Sequence, residues 1–331
     1  MDIKVCFFNA HFAVAQGHIR KYKIIFIIAC TRLYHNNTVI GDGNSSLQWS
    51  ACGSCPRGSR ADVTWACSPC QDHPTKYDWM YLCFMSISGL LLQWYSIDSF
   101  SGDSSLSVKT LVVHVSALLE TLLSAVITLI INEPVGSLNL KSCAVRQLSD
   151  WYTQFHNPQP NYQETLYCAQ EAVYPLYSLV FIHYGFSILL LLTMRPLVNH
   201  FMKIKGLRAS RPIYFALYIF PILSLLHATL AGLVYYAYPS IIILLSLMSH
   251  AFHFASRSDQ SARALLFETV SSVRNLCIVL GHWLLHAYGL TALTMSLQPE
   301  LRTSVLSLVP LPTLLYIALA RFTDPVKFHS E

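Results

Sequence analysis

Charge is what this sequence has least of. Lysine, arginine, aspartate and glutamate make up 12% of its 331 residues, against about 25% in an average soluble domain. So few charges cannot keep a large apolar core company in water, which argues against a soluble enzyme. The 53% hydrophobic content and mean hydropathy of +0.43 fit a chain solvated largely by lipid. The net charge of +5 is small and scattered, so nucleic acid is not expected as a partner. Ten cysteines are too few for a disulfide scaffold throughout. No inverted repeat is visible, which speaks against a secondary transporter.

What is present is a series of apolar runs. A spanning helix needs roughly 20 mostly apolar residues, and seven such spans are expected. They are Trp79 to Ile97, Thr110 to Ile131, Tyr174 to Met194, two within Ile213 to Phe254, Leu276 to Met295, and Ser304 to Phe322. The run from Ile213 is about twice one span in length, so it is expected to fold back near Tyr238-Pro239. The fold class is thus all-α, a polytopic membrane protein with seven transmembrane helices and a small cystine-rich N-terminal module. Its expected parts are a stretch 1–35, a luminal module 36–78, a membrane domain 79–322 and a tail 323–331.

Basic residues orient these spans. The segment 195–211 holds Arg195, Lys203, Lys205, Arg208 and Arg211 and no acid, and 256–275 adds Arg257, Arg263 and Arg274. Both are expected to be cytosolic loops. The longer loop 132–173 holds only Lys141 and Arg146 and is expected to be luminal. The N-terminus then lies in the lumen and the C-terminus in the cytosol. Sequons at Asn36 and Asn44 fall on the luminal side, as glycosylation requires. Within 1–35, the short apolar run Ile24 to Cys30 follows basic residues. It reads either as the core of a signal peptide or as an extension of the chain.

The stretch ACGSCPRGSRADVTWACSPC carries Cys52, Cys55, Cys67 and Cys70 as two C-x-x-C knuckles. Zinc suits such spacing in the cytosol. In an oxidising lumen disulfides are favoured, and a segment this small, polar and glycine-rich needs a covalent link because it cannot bury a core. Thiol catalysis would need a thioredoxin-like βαβ scaffold, which is absent from the pattern. The three pairings of four cysteines stay open. Cys143 and Cys168 flank the second luminal loop and are a further candidate pair, while Cys83 and Cys277 fall in spans and are expected to pack as inert thiols.

Several blocks have a familiar look. CGSCPRG, CSPC and YDWMYLCFM form the first; INEPVG, SDWYTQFHNPQPNY and CAQEAVYPLYSLVFI the second; GHWLLHAYG and LVPLPTLLYIALARFTDP the third. Together they resemble the Jun N-terminal kinase-associated membrane protein family over roughly Cys52 to Pro325. The resemblance implies a seven-span protein of the endoplasmic reticulum membrane, also found at the plasma membrane, that acts as an adaptor and not as an enzyme. It implies binding of the Jun N-terminal stress kinase and prolonged signalling. It also implies support of endoplasmic-reticulum-associated degradation through proteasome subunits and a membrane RING-type ubiquitin ligase.

Ionisable groups inside spans are costly, about 3 kcal/mol for a charge on the insertion scale, so they mark functional candidates. Glu120 lies mid-span, and His282 and His286 share one helix face. Two readings compete. One is an intramembrane zinc-dependent hydrolase using Glu120, His282 and His286, with His227 as a further ligand. The other is interhelical hydrogen bonding, with Glu120 protonated or paired to a histidine, and no metal or other cofactor. Trp151, Tyr152, Tyr235, Tyr236 and Tyr238 read as interfacial anchors. Lys203, Lys205 and Leu207 form a loose kinase-docking pattern, which equally reads as positive-inside charge.

Overall fold

The computed structural model describes residues 57–61, 67–101, 107–152, 172–295 and 297–323. Cys52, Cys55, Cys168, Asn36, Asn44, the stretch 1–35 and residues 324–331 lie outside the described residues. Among the described residues eight α-helices dominate: α1 (Lys76–Ser101), α2 (Val108–Ile131), α3 (Leu176–Phe201), α4 (Leu207–Ala255), α5 (Ala262–Ser271), α6 (Val273–Leu293), α7 (Pro299–Leu306) and α8 (Leu311–Thr323). The chain divides into two compact units, with the boundary after Gly232, within α4.

Among the described residues six helical segments are long and apolar enough to cross a membrane, the last of them, Glu300–Ala320, covering most of α7 and α8. The expected fold-back near Tyr238-Pro239 does not occur: α4 is one helix of 49 residues. Between Ile213 and Phe254 the sequence has no asparagine or aspartate and one glycine, Gly232. Nothing next to Tyr238-Pro239 supplies the left-handed backbone that ends a helix, and Pro239 removes only one main-chain donor. Length alone suggested a hairpin that the local chemistry does not encode.

In the first unit, α2 shows how the bundle is built. Its buried face carries Val113, Ser116, Ala117, Glu120, Thr121, Ser124 and Thr128, spaced three or four apart on one side of the helix. The opposite face exposes Leu111, Val115, Leu119, Leu122 and Val126. Small and polar residues inside with aliphatic residues outside is the arrangement of a helix in lipid, where packing and interhelical hydrogen bonds, not water, drive association. Ser107 caps α2, its Oγ accepting from the Thr110 N–H at 3.2 Å. Thr75 and Asp78 cap α1 reciprocally: the Thr75 N–H donates to Asp78 Oδ2 at 2.7 Å, and the Asp78 N–H donates to Thr75 Oγ1 at 3.2 Å.

The N-terminal module and the segment after α2 form one cap. Strands β1 (Ser59–Ala61) and β2 (Cys67–Pro69) pair antiparallel. Cys70 is disulfide-bonded to Cys143. That corrects both the expectation of pairing within the four-cysteine stretch for Cys70 and the expected Cys143–Cys168 pair. The physical reason is the main chain: Ser142 donates its N–H to the Asp72 carbonyl at 2.7 Å and Cys143 to that of Tyr174 at 2.7 Å, bringing the two segments side by side. Asp150, 1% exposed, organises the cap by accepting from Arg60 Nη2 at 2.7 Å and from the N–H groups of Arg146 and Gln147. Trp151 is buried against the edge of Tyr81, not anchored at an interface. It packs over Gly232, where an added Cβ would come within 3.0 Å of the Trp151 Cβ.

In the second unit α5 occupies part of the expected loop 256–275. Its Leu265 is buried with Phe254, Val279, Ile317 and Ala320. Tyr235 and Tyr238 are also buried, whereas Tyr236 is exposed. Cys83 and Cys277 are free and exposed, so they face outward from α1 and α6 and do not pack as expected.

Candidate functional site

The strongest polar centre joins α1, α2 and α3. Sequence reading ended the third span at Met194 and left Arg195 in a loop; α3 instead runs on to Phe201. Arg195 is therefore enclosed, 1% exposed, as is Glu120. Its Nε donates to Glu120 Oε1 at 3.0 Å and its Nη2 to Glu120 Oε2 at 2.8 Å. Nη2 also donates to Gln93 Oε1 at 3.1 Å, and Ser116 Oγ donates to Glu120 Oε1 at 2.7 Å. The expected partner of Glu120 was a histidine, and the structure supplies an arginine. A planar guanidinium matches both carboxylate oxygens at once, which an imidazole cannot do.

One turn further along α2, Ser124 and Ser187 bond to each other at 3.1 Å, and Ser124 Oγ lies 3.0 Å from His183 Nδ1. His227 is held between the Tyr81 hydroxyl, 3.3 Å, and the Tyr177 carbonyl, 2.9 Å. Each of these bonds ties one helix to another.

The second unit holds a histidine cluster. The His250 and His282 ring centroids are 5.2 Å apart, and those of His253 and His282 6.1 Å. Thr313 Oγ1 accepts from Trp283 Nε1 at 2.7 Å and lies 2.7 Å from His250 Nε2. Ser246 Oγ is 2.9 Å from His286 Nδ1. The zinc hydrolase expectation finds no support in this arrangement. Glu120 is occupied by Arg195 and Ser116 within the first unit, while His282 and His286 belong to the second. Among the described residues no group of three or more His, Cys, Asp or Glu is placed to hold a metal ion.

The turn between α3 and α4 is shorter than the expected loop 195–211, covering only residues 202–206. Lys203 is left-handed, φ +53°, as is Gly206, φ +67°. The Lys203 N–H donates to the His200 carbonyl and the Ile204 N–H to that of Asn199, which is a Schellman close to α3. Ile204 turns inward against the apolar cluster that contains Leu90, Ile97, Val113 and Ala117, while Lys203, Lys205 and Leu207 are exposed.

Helices with aliphatic exteriors around an ion-paired interior define a multi-span α-helical membrane protein. The model of the JNK1/MAPK8-associated membrane protein family matches residues 28–325. The JNK1/MAPK8-associated membrane proteins of Mus musculus and Homo sapiens are each 42% identical over 92% of this chain and 96% of their own length. A homologue from Caenorhabditis elegans is 30% identical over 87% of each chain. The chain belongs to this family. No solved structure matches it.

Proposed function

We propose that this protein is a membrane adaptor that binds the Jun N-terminal stress kinase and prolongs its signalling. The observation that carries this is the 42% identity, over nearly the full length, to relatives named for association with that kinase. The exposed Lys203, Lys205 and Leu207, a basic pair followed by an apolar residue, are the docking segment. The adaptor resides in the endoplasmic reticulum membrane, with a fraction at the plasma membrane. It supports degradation of misfolded proteins there by recruiting proteasome subunits and a membrane RING-type ubiquitin ligase. The N-terminal cap faces the lumen, where Asn36 and Asn44 are glycosylated and Cys52, Cys55, Cys67 and Cys168 are oxidised. The basic turn near Lys203 faces the cytosol.

Affinity purification of the full chain from detergent-solubilised membranes, followed by mass spectrometry, tests the partners: the kinase, proteasome subunits and the ligase are expected. The triple variant Lys203→Glu, Lys205→Glu, Leu207→Ser should lose the kinase selectively while keeping its membrane insertion. Failure of the unaltered chain to recover the kinase removes the adaptor reading. Undiminished recovery by the triple variant removes the docking segment. A glycosidase shift dependent on Asn36 or Asn44, and protease accessibility of a tag after Glu331 in sealed microsomes, test the orientation of each end.

A further inference from the structure

A cavity of about 70 Å³ opens at one end of the first unit, where α1 and α3 finish and α2 and α4 begin. Its polar lining is Ser107, Lys109, Thr110, Arg195, Asn199 and Arg208, with apolar side chains between them. Among the described residues no aspartate or glutamate lines it. Lys109 and Arg208 are exposed and form no ion pair among the described residues. At the cavity Arg195, 1% exposed, spends Nε and Nη2 on Glu120 and Gln93, leaving Nη1 without a hydrogen bond to any described residue. Volume decides the ligand class. Sites for drug-sized ligands run to about 300 Å³ or more, so this space is too small for a nucleotide or a metabolite, but it fits a tetrahedral oxyanion.

We infer that this cavity is a binding site for a phosphate group, held by Lys109, Arg208 and the free Nη1 of Arg195. Guanidinium and ammonium donors form the shortest and strongest hydrogen bonds to phosphate oxygens, and the first turn of α2 adds main-chain N–H groups that favour an anion. Two sources offer this chemistry. One is the headgroup of an anionic phospholipid, whose phosphate lies at the depth where transmembrane helices end. The other is a free phosphate anion. The position of the mouth at the helix ends favours the lipid. Occupancy would brace the α3–α4 turn, because Arg208 and Asn199 flank that turn on either side.

Native mass spectrometry of the full chain, released from nanodiscs of phosphatidylcholine doped with phosphatidic acid, reads the site directly. The unaltered protein should retain phosphatidic acid over phosphatidylcholine. The variant Lys109→Gln, Arg208→Gln should lose that preference by roughly tenfold or more, since two charge-assisted bonds are removed. Lys203→Gln, Lys205→Gln takes away equal charge from the same end without touching the lining and should retain the lipid. A parallel thermal-shift titration with inorganic phosphate separates the sources. Stabilisation by phosphate in the unaltered protein but not in the Lys109/Arg208 variant, without retained lipid, assigns the site to the free anion. Equal retention by both double variants, equal loss from both, or no preference together with no phosphate shift overturns the inference.

Discussion

Arg195 on α3 and Glu120 on α2 meet through two parallel hydrogen bonds of 3.0 and 2.8 Å, each side chain 1% exposed. A charge with so little access to water is tolerated because its counter-charge is matched atom for atom and Ser116 supplies a further donor to Glu120. Removing one partner leaves the other charged and buried. Arg195→Met or Glu120→Leu alone should therefore lower stability by about 3–5 kcal/mol. The double variant should recover most of that loss, because two apolar side chains of similar volume pack without a charge to neutralise. Thermal unfolding of the four proteins in detergent checks this. Additive losses would mean that the two residues act independently.

Lys203 gives a prediction of opposite sign. A side chain at φ +53° pays a steric cost that glycine avoids. Lys203→Gly should stabilise the α3–α4 connection by about 0.5–1 kcal/mol, and Lys203→Val should destabilise it, since β-branched residues resist this region. A raised melting temperature for the valine variant would contradict the turn geometry.

The Cys70–Cys143 bond links positions 73 residues apart in sequence. Proteolysis under non-reducing conditions should release a linked pair of peptides containing these two residues. Replacing both with serine should cost about 2–4 kcal/mol, chiefly by freeing the unfolded chain. Recovery of Cys143 linked to Cys168 instead would overturn this pairing.

Gly289 on α6 lies so close to α4 that an added Cβ would sit 2.7 Å from Ile243 Cγ1 and 3.0 Å from the Pro239 carbonyl oxygen. The carbonyl belongs to helical backbone and cannot rotate away as a side chain can. Gly289→Ala should therefore destabilise the second unit, by about 1–3 kcal/mol for overpacking. Gly281, whose Cβ would meet nothing within 4 Å, should accept alanine without loss. Similar melting temperatures for the two variants would show that α4 and α6 are not in contact here.

Thr313 serves two partners, Trp283 and His250, at 2.7 Å each. Thr313→Val keeps the shape and strands both. A loss of about 1–2 kcal/mol, with altered Trp283 fluorescence, is expected, whereas Thr313→Ser should stay near the parent protein.

The sequence by itself determined the solvent and the element type. Runs such as Thr110 to Ile131 and Leu276 to Met295 are apolar over a whole span, and hydrocarbon admits such a run only as a helix that satisfies its own main chain. Glu120 was legible for the same reason, since a carboxylate in such a run is conspicuous. Its partner was not. Arg195 stands at the end of an apolar run beside four more cations, so composition alone sends it to the loop; only the continuation of α3 past Met194 and the approach of α2 bury it. The cysteines divide the same way: their presence was plain, but Cys70 and Cys143 pair because main-chain bonds around Asp72 and Ser142 align distant segments. Local preference likewise suffices to carry α4 unbroken through Tyr238-Pro239, although overall length had suggested a hairpin. Burial, pairing and charge compensation depend on contacts between residues far apart in the chain, and those were decided by the tertiary structure.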